Sequence, residues 1–309
     1  IISVSGMRGV VGEGLTPEVV LRYASAFASV LEAGKVVLGR DPRPSGQQIR
    51  DRVLSVLLSR GFEVTDLGMC PTPTVHVNVR ELRASGGLVI TASHNPLDWN
   101  GLKAVNSEGI FFSPWEAERL EQFFRRSRLR RASSHRGKAI EQDADGVRRH
   151  IDKVRAMEWL SLGSLKRRRF KVAVDCCNGA TSVVLPNLLK ELGCDIVQLF
   201  CAPGHGFPRG PEPVSENLTE LGRVVSSERA EIGFGIDPDG DRVSVVAEDG
   251  SPLGEEYTLA LAARFVLSKK RGRVVTNLST SRMIEDICEE AGAEVVRTRV
   301  GEAWVVHRM

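Results

Sequence analysis

The sequence lacks the features that mark membrane, secreted or cysteine-metal proteins. No apolar run approaches the roughly 18 to 20 residues that cross a bilayer, and no basic-then-apolar segment opens the chain. The six cysteines include no C-x-x-C pair and no zinc-type spacing. These absences predict a cytoplasmic protein with reduced thiols and without a membrane partner.

The chain also lacks a strong excess of one charge. Its 42 Lys and Arg face 39 Asp and Glu, which gives a net charge of +3. A basic run at 125–138 could bind nucleic acid or anionic lipid, but no aromatic residue in it could stack on bases. We therefore favour a solvated linker at a domain boundary and expect no nucleic-acid partner.

A recurring local pattern organises the 309 residues. Three times, a β-rich run is followed by a polar loop, an amphipathic segment, a glycine and a second β-rich run. The first runs begin at Lys35, Phe170 and Arg273, and the glycines are Gly61, Gly193 and Gly292. Such glycines favour the left-handed conformation that ends a helix, and polar residues such as Ser45 can cap its start.

These repeats predict an α/β protein made of related mixed-sheet domains. Continuous apolar runs such as Val172-Ala173-Val174 indicate sheets buried on both faces by helices. We place the domains at residues 1–138, 139–251 and 252–309. Because the chain begins without Met and stops soon after the third repeat, we expect that both ends are cut and that the third domain is incomplete.

A serine loop follows the apolar run Gly87–Ile90. Ser93 lies beside His94, and Lys103 follows ten positions later. A serine becomes a nucleophile only if a base or a charge activates it. The G-x-S-x-G motif of serine hydrolases is absent, and composition alone favours a self-bonded turn.

An acidic loop has three carboxylates at alternate positions, Asp237, Asp239 and Asp241. They can converge on one hard cation, whereas without a cation they would repel each other. An EF-hand is excluded because Arg242 stands where its invariant glycine is needed, and because the flanks are typical of strands. Mg²⁺ suits the loop, since it needs few protein ligands; the remaining alternative is a glycine-rich solvated turn.

Two further loops carry weaker signals. Arg8 lies in the small-residue segment Ser5-Gly6-Met7-Arg8-Gly9, and its guanidinium fork matches phosphate. The segment Thr298–Glu302 could bring backbone N–H groups to a ligand at a helix start, or it could be an ordinary strand-to-helix turn.

Taken in order, these segments resemble the α-D-phosphohexomutase family over essentially the whole chain. Ser5 to Gly9 is similar to the family's opening S-G-x-R-G, Thr91 to Pro96 to its phosphoserine loop, and Asp237 to Arg242 to its D-x-D-x-D-R metal loop. Phe207 to Pro213 resembles the segment ahead of that metal loop.

The resemblance implies an isomerase that exchanges a phosphoryl group between C1 and C6 of a hexose phosphate through a 1,6-bisphosphate, which also serves as activator. The resemblance implies that Ser93 is the phosphorylated serine and that one Mg²⁺ is held by Ser93, Asp237, Asp239 and Asp241. It implies that Arg8 contacts the phosphate and that His94 and Lys103 supply proton transfer or charge. Substrate contact is implied for Arg242, Thr298, Val300 and Gly301. Near these cations, Lys103 should be pushed towards its neutral form.

The sequence departs from the family in its later part. The sugar-reading G-E-x-S-G-H loop and the phosphate-clamping R-x-S-G-T loop are absent, so glucose, mannose and glucosamine phosphates cannot be separated. We expect a fragment of low activity. A metal-dependent sugar phosphatase and a non-catalytic metal- or polyanion-binding module stay open as alternatives, and so does the oligomeric state.

Overall fold

The computed structural model describes residues 2–3, 6–126 and 140–309. Ser5 and all but the first two residues of the basic run at 125–138 lie outside the described residues. Within the described ranges, no helix combines the length and apolar composition of a membrane span. All six cysteines are unpaired thiols.

The first sheet is mixed and has seven strands within the described residues. In chain order the strands are β1 (Ile2–Ser3), β2 (Gly6–Val10), β3 (Lys35–Arg40), β4 (Glu63–Met69), β5 (Gly86–Ile90), β6 (Trp99–Asn106) and β7 (Ile140–Gln142). Their order across the sheet is β1-β2-β6-β5-β3-β4-β7. The pairs among β5, β3, β4 and β7 are parallel, and those that involve β6 or β1 are antiparallel.

Helices cover both faces of this sheet. They are α1 (Pro17–Val30), α2 (Gly46–Ser59), α3 (Thr72–Glu81), α4 (Pro114–Arg126) and α5 (Gly146–Arg155). Along β3, Val36 and Leu38 belong to the core under α1, α2 and α4, whereas Val37 belongs to the core under α3. This alternation is the side-chain period of a strand, and it places apolar residues on both faces.

A second sheet of four strands has the order β11-β10-β8-β9. Its strands are β8 (Lys171–Asp175), β9 (Asp195–Leu199), β10 (Ile232–Ile236) and β11 (Val243–Val246). The accompanying helices are α6 (Leu162–Arg168), α7 (Leu185–Glu191) and α8 (Thr219–Glu228), with 3₁₀ turns at Ala180–Val183 and Ser215–Leu218. Val172 and Val174 face one core and Ala173 faces the other, as the sequence predicted.

The third unit is small. Strands β12 (Val274–Asn277) and β13 (Val295–Thr298) pair in parallel, and α9 (Glu255–Lys269), α10 (Met283–Ala291) and α11 (Glu302–Arg308) accompany them. The predicted fold class, repeated mixed α/β domains with a short third copy, is therefore confirmed.

Of the sequence signals for helix ends, the glycines are confirmed and the predicted cap at Ser45 is not. Gly61, Gly193 and Gly292 all have positive φ, of 86°, 84° and 63°, as expected for residues that end helices. Ser45 occupies the N-cap position of α2 without capping it, because its hydroxyl instead accepts a hydrogen bond from Asn100 Nδ2 at 2.8 Å. The domain ranges stay a prediction; strand β7, beyond the boundary placed at 138, pairs with β4 of the first sheet.

Candidate active site

Ser93 lies in the loop that connects β5 to β6, and the residue is 1% exposed. Its φ of 53° is left-handed, a conformation that a residue with a Cβ adopts only when its surroundings enforce it. The Ser93 backbone N–H donates to Thr91 Oγ1 at 2.8 Å. The loop thus turns sharply and directs the serine hydroxyl into the interior.

The acidic loop follows β10 and folds around the first of its carboxylates. Asp237 Oδ1 accepts hydrogen bonds from the backbone N–H groups of Gly240, Asp241 and Arg242 at 3.0, 3.1 and 3.1 Å. Gly240 permits this turn with a φ of 73°. Because Oδ1 is occupied by the N–H groups of the loop itself, Oδ2 points away from the loop and is available to other groups.

The serine loop and the acidic loop meet. Ser93 Oγ donates to Asp237 Oδ2 at 3.1 Å, and His94 Nδ1 lies 3.3 Å from the same hydroxyl. Lys103, on β6, donates from Nζ to Asp239 Oδ2 at 2.7 Å and to Asp241 Oδ2 at 2.6 Å. The hydroxyl, imidazole, ammonium and carboxylates that the sequence singled out therefore share one pocket, in which Asp241 is exposed and Ser93, Lys103, Asp237 and Asp239 are buried.

The charges in this pocket shift one another's pKa values. Burial and the charges of Asp239 and Asp241 raise the pKa of Asp237. Burial opposes the charged form of Asp239 as well, but the charge of Lys103 and the hydrogen bonds to this carboxylate together lower that pKa. Lys103 is likewise penalised by burial, yet its two carboxylate partners raise its pKa. In contact with these carboxylates the ammonium is held charged; the expectation that a bound cation would push Lys103 towards its neutral form stays a prediction.

The acidic loop also fits a cation. One oxygen from each of Asp237, Asp239 and Asp241 lies within 4.8 Å of the others. Asp239 Oδ1 is buried and has no hydrogen-bond partner among the described residues. An unpaired buried carboxylate oxygen is costly unless a ligand satisfies it, and an all-oxygen donor set is the kind that Mg²⁺ prefers.

Contacts from the first and the second unit hold the acidic loop in place. Thr72, at the start of α3, donates its backbone N–H to the Asp239 carbonyl at 2.8 Å and its hydroxyl to Asp239 Oδ2 at 2.9 Å. On the other side, the Ala180 N–H donates to the Pro238 carbonyl at 2.7 Å. The site therefore forms where the first two units pack together.

Two predicted arginines lie at the border of the pocket. Arg8 donates from Nη1 to Asn95 Oδ1 at 3.3 Å, next to the serine loop. Arg242 pairs with Glu212 at 2.7 Å, and Glu212 also lies 3.9 Å from His94 Nε2. Burial and the charge of Arg242 lower the pKa of His94.

The predicted loop in the third unit is a strand-to-helix turn. Thr298 ends β13, Val300 is exposed, and Gly301 precedes α11 with a φ of 126°. Glu302, the first residue of α11, is exposed. Substrate contact by Thr298, Val300 and Gly301 stays a prediction.

Sequence reasoning missed several buried residues that support the site. Asp41 and Arg43 follow β3 and hold the serine loop. Arg209 donates to Asp175 Oδ2 at 2.7 Å and to the carbonyl of Ile236, directly before Asp237, at 2.8 Å. The available signal was the charged pair in Asp41-Pro42-Arg43, directly after β3, a strand with the apolar centre Val36-Val37-Leu38.

Comparisons with known proteins agree with this geometry. The chain matches the models of phosphoglucomutase/phosphomannomutase alpha/beta/alpha domains I, II and III over residues 2–131, 148–250 and 254–309. It is 37% identical over 303 residues to a probable phosphoglucosamine mutase of Methanopyrus kandleri, covering 97% of this chain and 66% of that protein. It is 36% identical over 311 residues to a phosphoglucomutase/phosphomannomutase of Thermococcus kodakarensis, covering 98% and 68%.

Solved structures give the same result. A phosphomannomutase-type protein of Thermus thermophilus superposes with a TM-score of 0.90 at 27% identity, covering 100% of this chain and 71% of the other. A phosphoglucomutase/phosphomannomutase family protein of Burkholderia thailandensis gives 0.84 at 28%, covering 100% and 69%. The chain spans about two thirds of the length of the curated relatives it matches. It belongs to the phosphoglucomutase/phosphomannomutase family, the α-D-phosphohexomutases.

Proposed function

We propose that this chain carries the phosphoryl-transfer centre of a phosphohexomutase, which exchanges a phosphoryl group between C1 and C6 of a hexose phosphate through Ser93 and a 1,6-bisphosphate. One observation carries the proposal. The Ser93 hydroxyl and the Lys103 ammonium meet the carboxylates of the acidic loop in one pocket, although 144 and 136 positions separate the bonded residues. Activity of the whole protein is part of the proposal, since the relatives are longer.

The metal site belongs to the same proposal. One Mg²⁺ per chain would be held by Asp237, Asp239 and Asp241 together with an oxygen of the phosphate on Ser93. When bound, the ion supplies neutralising charge for the phosphoryl group, which is the main requirement of phosphoryl transfer. The unpaired oxygen of Asp239 supports this assignment.

The side chains of the pocket have complementary tasks. Ser93 keeps the phosphoryl group between the two half-reactions: as its Oγ–P bond breaks, a sugar hydroxyl forms the new O–P bond and gives up its proton, and Oγ regains one. His94 Nδ1, 3.3 Å from Oγ, would pass a proton to or from this oxygen. Lys103 adds a fixed positive charge beside the carboxylates.

The substrate is proposed at the level of a class. Arg8 would contact the phosphate on Ser93, and Arg242 with the loop Thr298 to Gly301 would face the sugar. The names of the relatives include mutases of glucosamine, glucose and mannose phosphates, so all three belong in an assay, with a hexose 1,6-bisphosphate as activator. A cytoplasmic location is kept as a prediction of the sequence.

The test is phosphorylation of the chain itself. After incubation with glucose 1,6-bisphosphate and Mg²⁺, intact-mass analysis should show one added phosphoryl group, and peptide mapping should locate it on Ser93. Ser93→Ala should add none. Ser107→Ala, an exposed serine in the same unit, is the matched control and should behave as the wild type.

Three other outcomes separate the alternatives. Phosphorylation of Ser93→Ala at the wild-type level would refute the role of this serine. Steady release of inorganic phosphate from a hexose phosphate, without isomer, would favour the phosphatase. A wild-type chain that gains no phosphoryl group but binds polyanions would favour the non-catalytic module.

A further inference from the structure

Arg43 is an arginine with no exposed side-chain surface. It lies in the short connection between β3 and α2, and it pairs with Asp41, whose side chain is also fully buried. A guanidinium offers five N–H donors in a fixed plane. Burying such a charge is unfavourable unless every donor is satisfied, so the identity of its acceptors shows what it stabilises.

All five donors of Arg43 have acceptors. Nε donates to Asp41 Oδ2 at 3.0 Å. Nη2 donates to the carbonyls of Ser93 and Asn95, each at 2.7 Å. Nη1 donates to the carbonyl of Trp99 at 2.9 Å and to that of Pro96. Four of the five acceptors are backbone oxygens of residues 93–99, which comprise the loop that carries Ser93 and the first residue of β6.

Asp41 fixes the other side of the same serine. Its Oδ2 accepts from Thr91 Oγ1 at 2.7 Å, and Thr91 Oγ1 in turn accepts from the Ser93 N–H at 2.8 Å. The N–H and the carbonyl of Ser93 are therefore both anchored to the Asp41–Arg43 pair. This double anchor accounts for the left-handed φ of 53° at a residue that has a side chain.

The second unit covers the open face of the guanidinium. Arg43 Cζ lies 5.0 Å from the ring centroid of Phe207, a cation–π arrangement. Phe207 comes two residues before Arg209, which holds the carbonyl directly before Asp237. The backbone that presents the serine is thus connected through Arg43 to the segment that supports the acidic loop.

We propose that Arg43 is a positioning residue, which fixes the backbone of Ser93 so that its hydroxyl points at Asp237. The proposal rests on the proposed function, in which Ser93 is the phosphoryl carrier. Lysine cannot replace the arginine, because its ammonium has three donors and no planar fork. At least two of the five acceptors would lose their partner.

The experiment compares Arg43→Lys with Arg50→Lys in the 309-residue chain. Arg50 is a suitable control, because it lies on α2, pairs with the buried Asp66 in the same unit, and does not touch the serine loop. Two quantities are measured: hydrogen–deuterium exchange of the amides at 92–99, and the rate of Ser93 phosphorylation over a range of glucose 1,6-bisphosphate concentrations.

For Arg43→Lys we expect at least about tenfold faster exchange at 92–99 and a maximal phosphorylation rate about 100-fold lower, because small displacements of a reacting group have effects of this size. The half-saturating bisphosphate concentration should stay within twofold, since Arg43 contacts the loop and not the pocket. Arg50→Lys should leave both quantities within twofold of wild type.

Wild-type exchange and a wild-type maximal rate in Arg43→Lys would overturn the proposal. If Arg43→Lys does not fold, as judged by circular dichroism, Phe207→Leu replaces it in the same experiment. We then expect smaller changes in the same direction in amide exchange at 92–99 and in the maximal rate, and the absence of any change would overturn the proposal. If the wild-type chain acquires no phosphoryl group, the proposed function fails, while the exchange of 92–99 in the two lysine variants still decides whether Arg43 holds the loop.

Discussion

Ser93 Oγ donates a hydrogen bond to Asp237 Oδ2 across 3.1 Å, although 144 positions separate the two residues. Each belongs to a different sheet-based unit. Their contact exists only while the two units are packed together, and Thr72 and Lys103 stabilise the same junction through Asp239. Metal binding, serine chemistry and packing of the units are therefore linked, and they can be tested separately.

The first prediction concerns the cation. Asp239→Asn removes the charge of the carboxylate whose Oδ1 has no partner among the described residues. We expect the dissociation constant for Mn²⁺, used as a probe for Mg²⁺, to rise at least about tenfold. Isothermal titration calorimetry measures it.

Asp249→Asn is the matched control, since Asp249 lies in an exposed turn and its carboxylate accepts hydrogen bonds from the nearby Ser251. It should bind Mn²⁺ as the wild type does. Unchanged affinity in Asp239→Asn would mean that the ion binds elsewhere or not at all.

The second prediction concerns Lys103, which is 3% exposed and neutralises two carboxylates. Lys103→Met leaves these charges uncompensated, so without divalent cation the free energy of unfolding should fall by about 3 to 5 kcal/mol. Added Mg²⁺ should then stabilise this variant more than the wild type, because ligand binding to the folded state adds to stability. Urea unfolding with and without Mg²⁺ measures both effects.

Lys35→Met provides the comparison, because Lys35 pairs with Glu63 at the surface. Its loss should change stability by less than about 1 kcal/mol, independently of Mg²⁺. An equal Mg²⁺ effect in Lys103→Met and wild type would show that Lys103 and the cation do not share the carboxylates.

The third prediction is a pH dependence that arises from His76 on α3. Its Nδ1 bonds to the Gly109 carbonyl at 3.1 Å, and Nε2 is buried without a partner among the described residues. Burial therefore lowers the pKa of His76 to about 4. Between about pH 6.5 and 4 the unfolded chain takes up a proton that the folded chain refuses, so stability falls as pH falls, by roughly 3 kcal/mol over this window.

Urea unfolding at several pH values should show this slope in the wild type and a smaller one in His76→Asn, which keeps a donor near the Nδ1 position. His205→Gln, a change at an exposed histidine, should keep the wild-type slope. Parallel slopes for wild type and His76→Asn would contradict the assignment.

The sequence predicts the acidic loop and the serine loop well because each is encoded locally. Asp237, Asp239 and Asp241 lie within five positions, and such spacing already indicates a metal site. Helix-ending glycines and apolar strands are local signals too. Arg43 was missed because its four backbone acceptors lie 50 to 56 positions away, and no local pattern shows that a charged residue after a strand will be buried.

The carboxylate partners of Lys103 were missed for the same reason. Its pKa is raised by two carboxylates more than 130 positions away. The direction of such a pKa shift depends on whether the charges in contact with the ammonium are positive or negative. The residue type alone indicated that Lys103 brings a positive charge to the site. Only the packing of the two units determines which partner it has.

The fourth prediction separates the two arginines that support the site. Arg209→Lys keeps a positive charge near Asp175 but loses the fork that also holds the Ile236 carbonyl. Because that carbonyl directly precedes the acidic loop, we expect the Mn²⁺ dissociation constant to rise about tenfold, with amide exchange at 92–99 unchanged.

Arg43→Lys should show the converse, fast exchange at 92–99 with Mn²⁺ affinity within twofold of wild type. Arg168→Lys, which alters an exposed pair with Glu231, should change neither. If both buried-arginine variants altered exchange and affinity alike, the two loops would respond as one body, and the separate roles assigned to Arg43 and Arg209 would be wrong.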